Sequence, residues 1–298
     1  MRRCAIIDTE LLPGLTTCCY CFLFMAVVFL WIPYKPKIPL WIITFALACI
    51  FGLVSKQLDM YAVFPIFTLA YALHYFKQKN APLVWRVIAS IVILLLSCGL
   101  GAHLFPYFHN LKVLSNVAIS QDGIPFTLYL NYDKTIVGLF ILGLTQPLLT
   151  KKTEWLAVCK QTIPMAIKFI FILVLLARLA GEVHFDPKLP ACLPIWLITN
   201  LLFVCVAEEA IFRGFIQKNL AVVFINFKWG NLLALVIASL LFGFAHYAGG
   251  IAYSIWGTIA GLGYGWFFQK TKQIESSILV HFSLNLVHFL LFTYPALG

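Results

Sequence analysis

Ten apolar segments limit the folds open to this sequence more than any other feature does. Each is near or above the length needed to cross a bilayer. They cover residues 14–32, 38–55, 59–76, 85–105, 134–149, 163–181, 191–212, 231–247, 252–268 and 275–293. A helix needs about 20 apolar residues to cross roughly 30 Å of hydrocarbon. Only 11% of the residues are charged, against about 25% in soluble domains. The sequence therefore predicts an all-α, polytopic transmembrane helix bundle of about 8–10 spans.

Lysine and arginine are concentrated in alternate loops. One set holds Lys35, Lys37, Lys77, Lys79, Arg86, Lys151, Lys152, Lys160, Arg213, Lys218, Lys228, Lys270 and Lys272, whereas the loops between hold Lys56, Lys112 and Lys188. Positive loops stay cytoplasmic, so we expect the first set inside and both chain ends outside, although Arg2 and Arg3 depart from this pattern. The net charge of +10 then indicates contact with anionic lipid and no nucleic-acid partner.

The chain changes in character near Pro190. We expect residues 1–190 to form N-terminal transmembrane helices, with a folded extracytoplasmic loop near 106–133. Residues 191–298 would form a C-terminal four-helix core that carries the function. The segment 14–32 has no small-residue cleavage site after it, so it is interpreted as a span and not as a signal peptide. The nine cysteines are interpreted as small apolar helix residues.

Two adjacent glutamates lie in the apolar run LLFVCVAEEAIFRGF, near the cytoplasmic end expected for segment 191–212. An ionised side chain at the bilayer centre costs about 2.5–3.5 kcal/mol. Arg213 comes four residues after Glu209, so these two share a helix face and can pair. Glu208 points about 100° away and has no partner in its own helix. Glu208 is therefore the carboxylate that calls for a functional explanation.

Further polar residues occur on the helices that follow. His246 ends the next apolar segment, and His281 and Asn285 share one face of the last segment because they are four residues apart. His288 continues that stripe and is assigned to packing. A polar stripe on an apolar helix must face a bundle interior, a cavity or a partner.

Glycines on the segment between them allow close helix packing. Gly257, Gly261 and Gly265 recur at every fourth residue, and a ridge of small residues lets a neighbouring helix approach. Four consecutive helices could therefore bring Glu208 together with the polar residues of the later helices around one hydrated pocket.

Such a set of side chains suits hydrolysis by activated water. A carboxylate and an imidazole can hold and deprotonate a water molecule. A second histidine and an asparagine amide supply hydrogen-bond donors for a developing oxyanion. The sequence has no GxSxG motif that would supply a serine nucleophile.

At these positions the chain resembles the CAAX-protease and bacteriocin-processing family of intramembrane peptidases. That family carries Glu-Glu-x-x-x-Arg, Phe-x-x-x-His and His-x-x-x-Asn on successive core helices. Here the motifs read EEAIFR (Glu208, Glu209, Arg213), FGFAH (Phe242, His246) and HFSLN (His281, Asn285). The resemblance covers about residues 190–295.

The resemblance implies a role for each of these residues. Glu208 and His246 would activate the water, and His281 and Asn285 would bind the oxyanion. Glu209, Arg213 and Phe242 would support the site. A metal-free mechanism is favoured because HExxH is absent. If a metal is present, Glu208, His246 and His281 are the set that could bind zinc.

The function expected from the sequence is an intramembrane endopeptidase that hydrolyses a membrane-embedded or lipid-associated protein or peptide. Its expected location is a bacterial inner (cell) membrane, as a multi-pass protein. Two alternatives remain open. One is a non-catalytic immunity or binding protein of the same fold. The other is a proton-coupled transporter, since buried glutamate and histidine also form proton relays.

Overall fold

The computed structural model describes residues 14–33, 37–78 and 80–298. Its helices, numbered in chain order, are α1 Gly14–Val28, α2 Leu40–Val54, α3 Val63–Phe76, α4 Leu83–Gly101, α5 Tyr132–Thr145, α6 Lys152–Leu179, α7 Leu193–Val223, α8 Gly230–Ala245, α9 Ile251–Thr271 and α10 Ile274–Leu291. Two strands, β1 Leu111–Val117 and β2 Phe126–Leu130, lie between α4 and α5. Arg2, Arg3, Lys35 and Lys79, which entered the charge pattern, lie outside the described residues.

Each of the ten apolar segments overlaps one of these helices, so the predicted all-α bundle is confirmed. By length and composition, α1 with its continuation to Trp31, α4, α6, α7 and α10 are long and apolar enough to cross a membrane. Leu40–Val54, Met60–Phe76 and Gly230–Ala245 are shorter apolar helices. The chain is therefore an integral membrane protein built around a helical bundle.

Successive helices run in opposite directions between two ends of the bundle. At one end, Trp31 Nε1 and the Leu149 amide both donate to the Glu275 carboxylate. At the other end, a bridge pairs Leu58 with Phe108. We call these the basic end, which carries residues 32–33, 37–39, 77–78, 80–82, 146–151, 224–229 and 272–273, and the hairpin end, which carries β1 and β2.

The predicted loop near 106–133 contains a β-hairpin, which sequence periodicity did not predict. β1 and β2 pair antiparallel with irregular register. The C-terminal residues 292–298 pack against the turn of this hairpin, where Gly123 bridges Leu297. The hairpin and the C-terminal segment together form a cap over the hairpin end.

Helix α7 is longer than the predicted segment 191–212, which corrects the depth expected for the two glutamates. It continues to Val223, so Glu208 lies near the middle of the helix and not near its cytoplasmic end. The sequence was misleading because Arg213 was assigned to a basic loop, whereas its side chain is fully buried. π-helical turns, Thr199–Cys205 and Ala210–Gln217, flank the glutamates. Such turns inside α-helices are frequent at functional sites.

The glycine ridge of α9 packs as predicted. A Cβ at Gly265 would lie 2.5 Å from Oε1 of Gln217 on α7, and one at Gly261 would lie 3.2 Å from Nη2 of Arg213. A comparable close approach joins α5 to α7, where a Cβ at Gly138 would lie 2.7 Å from the Ala207 Cα. The first half of the chain is thus packed directly against the helix that carries the glutamates.

Candidate active site

Glu208 is almost fully buried, at 7% exposure, and its partner comes from another helix. The Lys134 ammonium donates to Glu208 Oε1 at 2.6 Å. Lys134 lies in the first turn of α5, one helical turn before Gly138. The close approach of Gly138 to Ala207 therefore places the lysine beside the carboxylate. An ion pair offsets part of the cost of holding a carboxylate in a buried position.

The other carboxylate oxygen of Glu208 faces two imidazoles. Its Oε2 lies 3.9 Å from Nε2 of His246 and 3.8 Å from Nε2 of His281. These separations exceed a direct hydrogen bond but suit one bridging water molecule. Oε2 is buried and accepts no hydrogen bond from the part of the chain that the structure describes.

Hydrogen bonds fix which nitrogen of each histidine faces Glu208. His246 Nδ1 lies 2.8 Å from the Phe242 carbonyl oxygen, which can only accept, so Nδ1 carries the proton. His281 Nδ1 lies 2.8 Å from Oε1 of Glu209 and carries its proton for the same reason. In the neutral forms, both Nε2 atoms then direct a lone pair toward Glu208.

Glu209 and Arg213 form the predicted pair and hold His281. Arg213 Nε lies 3.2 Å from Glu209 Oε2, and both side chains are fully buried. Arg213 Nη2 donates to the Gly261 carbonyl at 2.9 Å. The guanidinium carbon lies 4.6 Å from the ring centre of Phe242, a separation typical of a cation–π contact. Phe242 therefore connects the arginine to the site.

Asn285 lies on the same face of α10 as His281 and contacts α7. Its Nδ2 donates to Asn200 Oδ1 at 3.2 Å and approaches Cys205 Sγ at 3.7 Å. Asn200 lies in the first π-helical stretch of α7, so this stretch orients the asparagine amide. His288 Nε2 donates to the Thr293 carbonyl at 2.9 Å, which agrees with a packing role.

Two cavities adjoin the histidines. The first, of about 240 Å³, is lined by Glu208, His246, His281 and Asn285 and by cap residues such as Phe126 and Tyr294. The second, of about 360 Å³, is more apolar and extends between α6 and α9. The predicted residues thus surround one space that could hold a water molecule and part of a ligand.

The same residues do not form an evident metal site. No group of three or more histidine, cysteine, aspartate or glutamate side chains within residues 14–33, 37–78 and 80–298 is arranged to hold a metal ion. The Lys134 ammonium already neutralises Glu208 and would repel a second cation. Glu208, His246 and His281 therefore fit zinc poorly as they are placed.

Lys134 is the main site residue that sequence reasoning missed. It stands at the first position of the short segment 134–149, where a lysine is normally interpreted as the end of a span. Asn200 was also missed, as was Tyr264, whose ring stacks on His281 with centres 4.5 Å apart. A signal was available for Asn200, because a polar residue inside an apolar helix needs a partner.

Comparison with known proteins agrees with the motif pattern. Residues 190–287 match the family model described as Rce1-like, Type II CAAX prenyl endopeptidase Rce1-like. No curated protein and no solved structure matched the chain. The matched range contains all three motifs but begins after α5, so it does not include Lys134. Residues 190–287 of this integral membrane protein are thus similar to the CAAX prenyl endopeptidases that this family model describes, in agreement with the resemblance that the three motifs carry.

Proposed function

We propose that this chain cleaves a peptide bond with water activated by Glu208 and His246, without a metal ion. The observation that carries the proposal is the position of Glu208 Oε2, buried without a partner within the described residues and 3.8–3.9 Å from two imidazole nitrogens. A water molecule in that space would donate one hydrogen to the carboxylate and the other to an imidazole lone pair.

The proposed reaction begins when the water oxygen attacks the peptide carbonyl carbon. The water O–H bond breaks, its proton passes to Glu208 or His246, and the carbonyl oxygen becomes an oxyanion. The Asn285 amide, directed by Asn200, would donate to that oxyanion, as would His281 when Nε2 is protonated. The same proton then passes to the amide nitrogen as the C–N bond breaks, which yields a carboxylic acid and an amine.

Lys134, Glu209 and Arg213 are positioning residues in this proposal. The lysine holds Glu208 Oε1, so that Oε2 is left to bind water. Glu209 holds Nδ1 of His281, so that Nε2 points into the cavity. Fixing both groups before the substrate arrives lowers the barrier, since less reorganisation is then needed during the reaction.

The proposed substrate is a membrane-embedded or lipid-associated protein or peptide, and the proposed location is a bacterial cell membrane. The apolar second cavity, which shares His246 and His281 with the first, would hold an apolar part of that substrate. Pockets that bind through apolar walls and a few polar groups are the common pattern for such ligands.

Glu208→Gln tests the proposal, because glutamine keeps the shape of the side chain but cannot accept the proton. Membrane peptides from cells with wild type and variant would be compared by mass spectrometry. A fragment absent from the variant, with equal protein levels, supports the peptidase. An identical peptide set with an unchanged phenotype would favour a binding or immunity protein, and lost proton-coupled flux without any fragment would favour a transporter.

A further inference from the structure

Two tyrosines line the cavity that holds Glu208, and they differ in how their hydroxyl groups are used. The Tyr294 hydroxyl accepts a hydrogen bond from Trp196 Nε1 at 3.0 Å, and its ring packs against Phe289 with ring centres 4.8 Å apart. The packing of the cap therefore fixes Tyr294. The Tyr253 hydroxyl, in contrast, makes no hydrogen bond to any residue in the ranges that the structure describes.

The contact between α8 and α9 holds Tyr253 beside His246. Tyr253 lies in the first turn of α9, directly after the short helical turn Tyr247–Gly249. The neighbouring Ser254 donates to the Gly243 carbonyl at 2.7 Å, which ties this part of α9 to the end of α8. As a result, the centres of the Tyr253 and His246 rings lie 5.5 Å apart.

A glycine behind the Tyr253 ring limits where the side chain can lie. A Cβ at Gly249 would stand 2.6 Å from Tyr253 Cδ1 and 3.0 Å from Cγ, so a larger residue there would displace the ring. The side chain is otherwise open to a ligand, since Tyr253 is 48% exposed. Tyr253 lines both cavities, as His246 and Asn285 do. A substrate that extends from one cavity into the other would therefore contact it.

The proposed oxyanion site has few neutral hydrogen-bond donors. His281 Nδ1 carries its proton toward Glu209, so Nε2 of the neutral imidazole presents a lone pair and cannot donate. The Asn285 amide uses one of its two N–H groups on Asn200. A phenol hydroxyl donates without first gaining a proton, so a tyrosine in the same cavity could supply the donor that His281 lacks.

We propose that Tyr253 is a further catalytic residue, whose hydroxyl donates a hydrogen bond to the peptide carbonyl oxygen as that oxygen becomes an oxyanion. This inference rests on the proposed function, since it requires an oxyanion to form. The proton stays on the tyrosine throughout. The hydrogen bond strengthens as negative charge grows on the acceptor, so it stabilises the transition state more than the bound peptide. A tyrosine hydroxyl is an established oxyanion donor in enzymes.

Tyr253→Phe tests the inference because it removes only the hydroxyl group. The substrate is a synthetic peptide that spans the cut identified by comparing wild type with Glu208→Gln. We expect kcat to fall about 10²-fold with KM unchanged, as for the loss of one oxyanion donor. The melting temperature should not change, because the hydroxyl has no partner among the described residues. Tyr247→Phe is the matched control and should keep the wild-type rate, since Tyr247 is exposed and lines neither cavity.

Gly249→Ala provides a second test, because it moves the Tyr253 ring without removing the hydroxyl. We expect a smaller loss of kcat than in Tyr253→Phe. The double variant should be no slower than Tyr253→Phe alone, since displacement of the ring has no further effect once the hydroxyl is gone. Losses that add in the double variant would contradict a shared cause.

The outcomes separate this inference from the proposed function. A wild-type kcat in Tyr253→Phe would overturn the inference, and so would a change confined to KM or an equal loss in Tyr247→Phe. If Glu208→Gln abolishes cleavage while Tyr253→Phe does not slow it, the inference alone fails. If cleavage persists in Glu208→Gln, the proposed function fails and the inference fails with it.

Discussion

The Lys134 ammonium and Glu208 Oε1 lie 2.6 Å apart although 74 positions separate the two residues in the chain. One belongs to the helices that precede residue 190, and the other to the motif that the family shares. The ion pair therefore connects the candidate active site to the part of the chain before residue 190, which the family match does not cover.

Lys134→Met should destabilise the protein and reduce cleavage. Removal of one partner leaves Glu208 as an uncompensated buried charge, which costs about 3–5 kcal/mol. We expect cleavage to fall by about 10²-fold, because the carboxylate loses its fixed position. Denaturant unfolding in detergent and a fragment assay measure the two effects.

Matched variants separate charge from simple damage. Lys134→Arg should retain part of the activity, and Lys134→Met combined with Glu208→Gln should recover much of the lost stability while cleavage stays absent. A Lys134→Met protein with wild-type stability and rate would show that the pair has no role.

Gly138→Ala should weaken the contact between α5 and α7. The added Cβ would lie 2.7 Å from the Ala207 Cα, so the helices must separate, at a cost of about 1–3 kcal/mol. Because Lys134 is one turn away, we also expect slower cleavage. Gly101→Ala is the matched control, since its Cβ would have nothing within 4 Å. Equal melting temperatures for both variants would contradict the close approach.

Asn285→Ala should lower kcat and leave KM nearly unchanged. Loss of one oxyanion donor typically costs about 10²–10³ in kcat. Asn200→Ala, which removes the partner of Asn285 without removing the donor, should have a smaller effect in the same direction. A change in KM alone would instead place Asn285 in substrate binding.

The cap should loosen in acid. A hydrogen bond from His184 lowers the pKa of Asp122 below its usual value of 3.8, with a further contribution from Thr293. A carboxyl group whose pKa is lower in the folded than in the unfolded protein stabilises the fold at pH values above its unfolded-state pKa. This stabilisation is lost as the pH falls through its folded-state pKa. Contacts of the hairpin turn with residues 292–298 should therefore weaken below about pH 4.

Hydrogen exchange at the cap measures this effect. The amides of Ile124 and Gly298 donate to the carbonyls of Ala296 and Asp122 and should lose protection between pH 5 and pH 3, relative to amides within α7. In Asp122→Asn this pH dependence should disappear. A pH dependence that persists in the variant would assign the change to another group.

Some features of the site were open to prediction from local sequence. The pairing of Glu209 with Arg213 follows from a spacing of four residues on a helix, and the glycine ridge of α9 follows from the same periodicity. The depth of Glu208 was not predictable, because the end of a helix depends on whether Arg213 and Gln217 find buried partners, here the carbonyls of Gly261 and Gly265.

By itself, the sequence determined the helical bundle, the alternation of charge between its loops and the three motifs, since hydrophobicity, charge and short spacings are local properties of a chain. Only the tertiary structure decided that Lys134 meets Glu208, which histidine nitrogens face that carboxylate, and that the cavity lies under the hairpin. These relationships depend on how closely distant helices pack, here through Gly138 against Ala207, and helix packing over such separations leaves no periodic trace in the sequence.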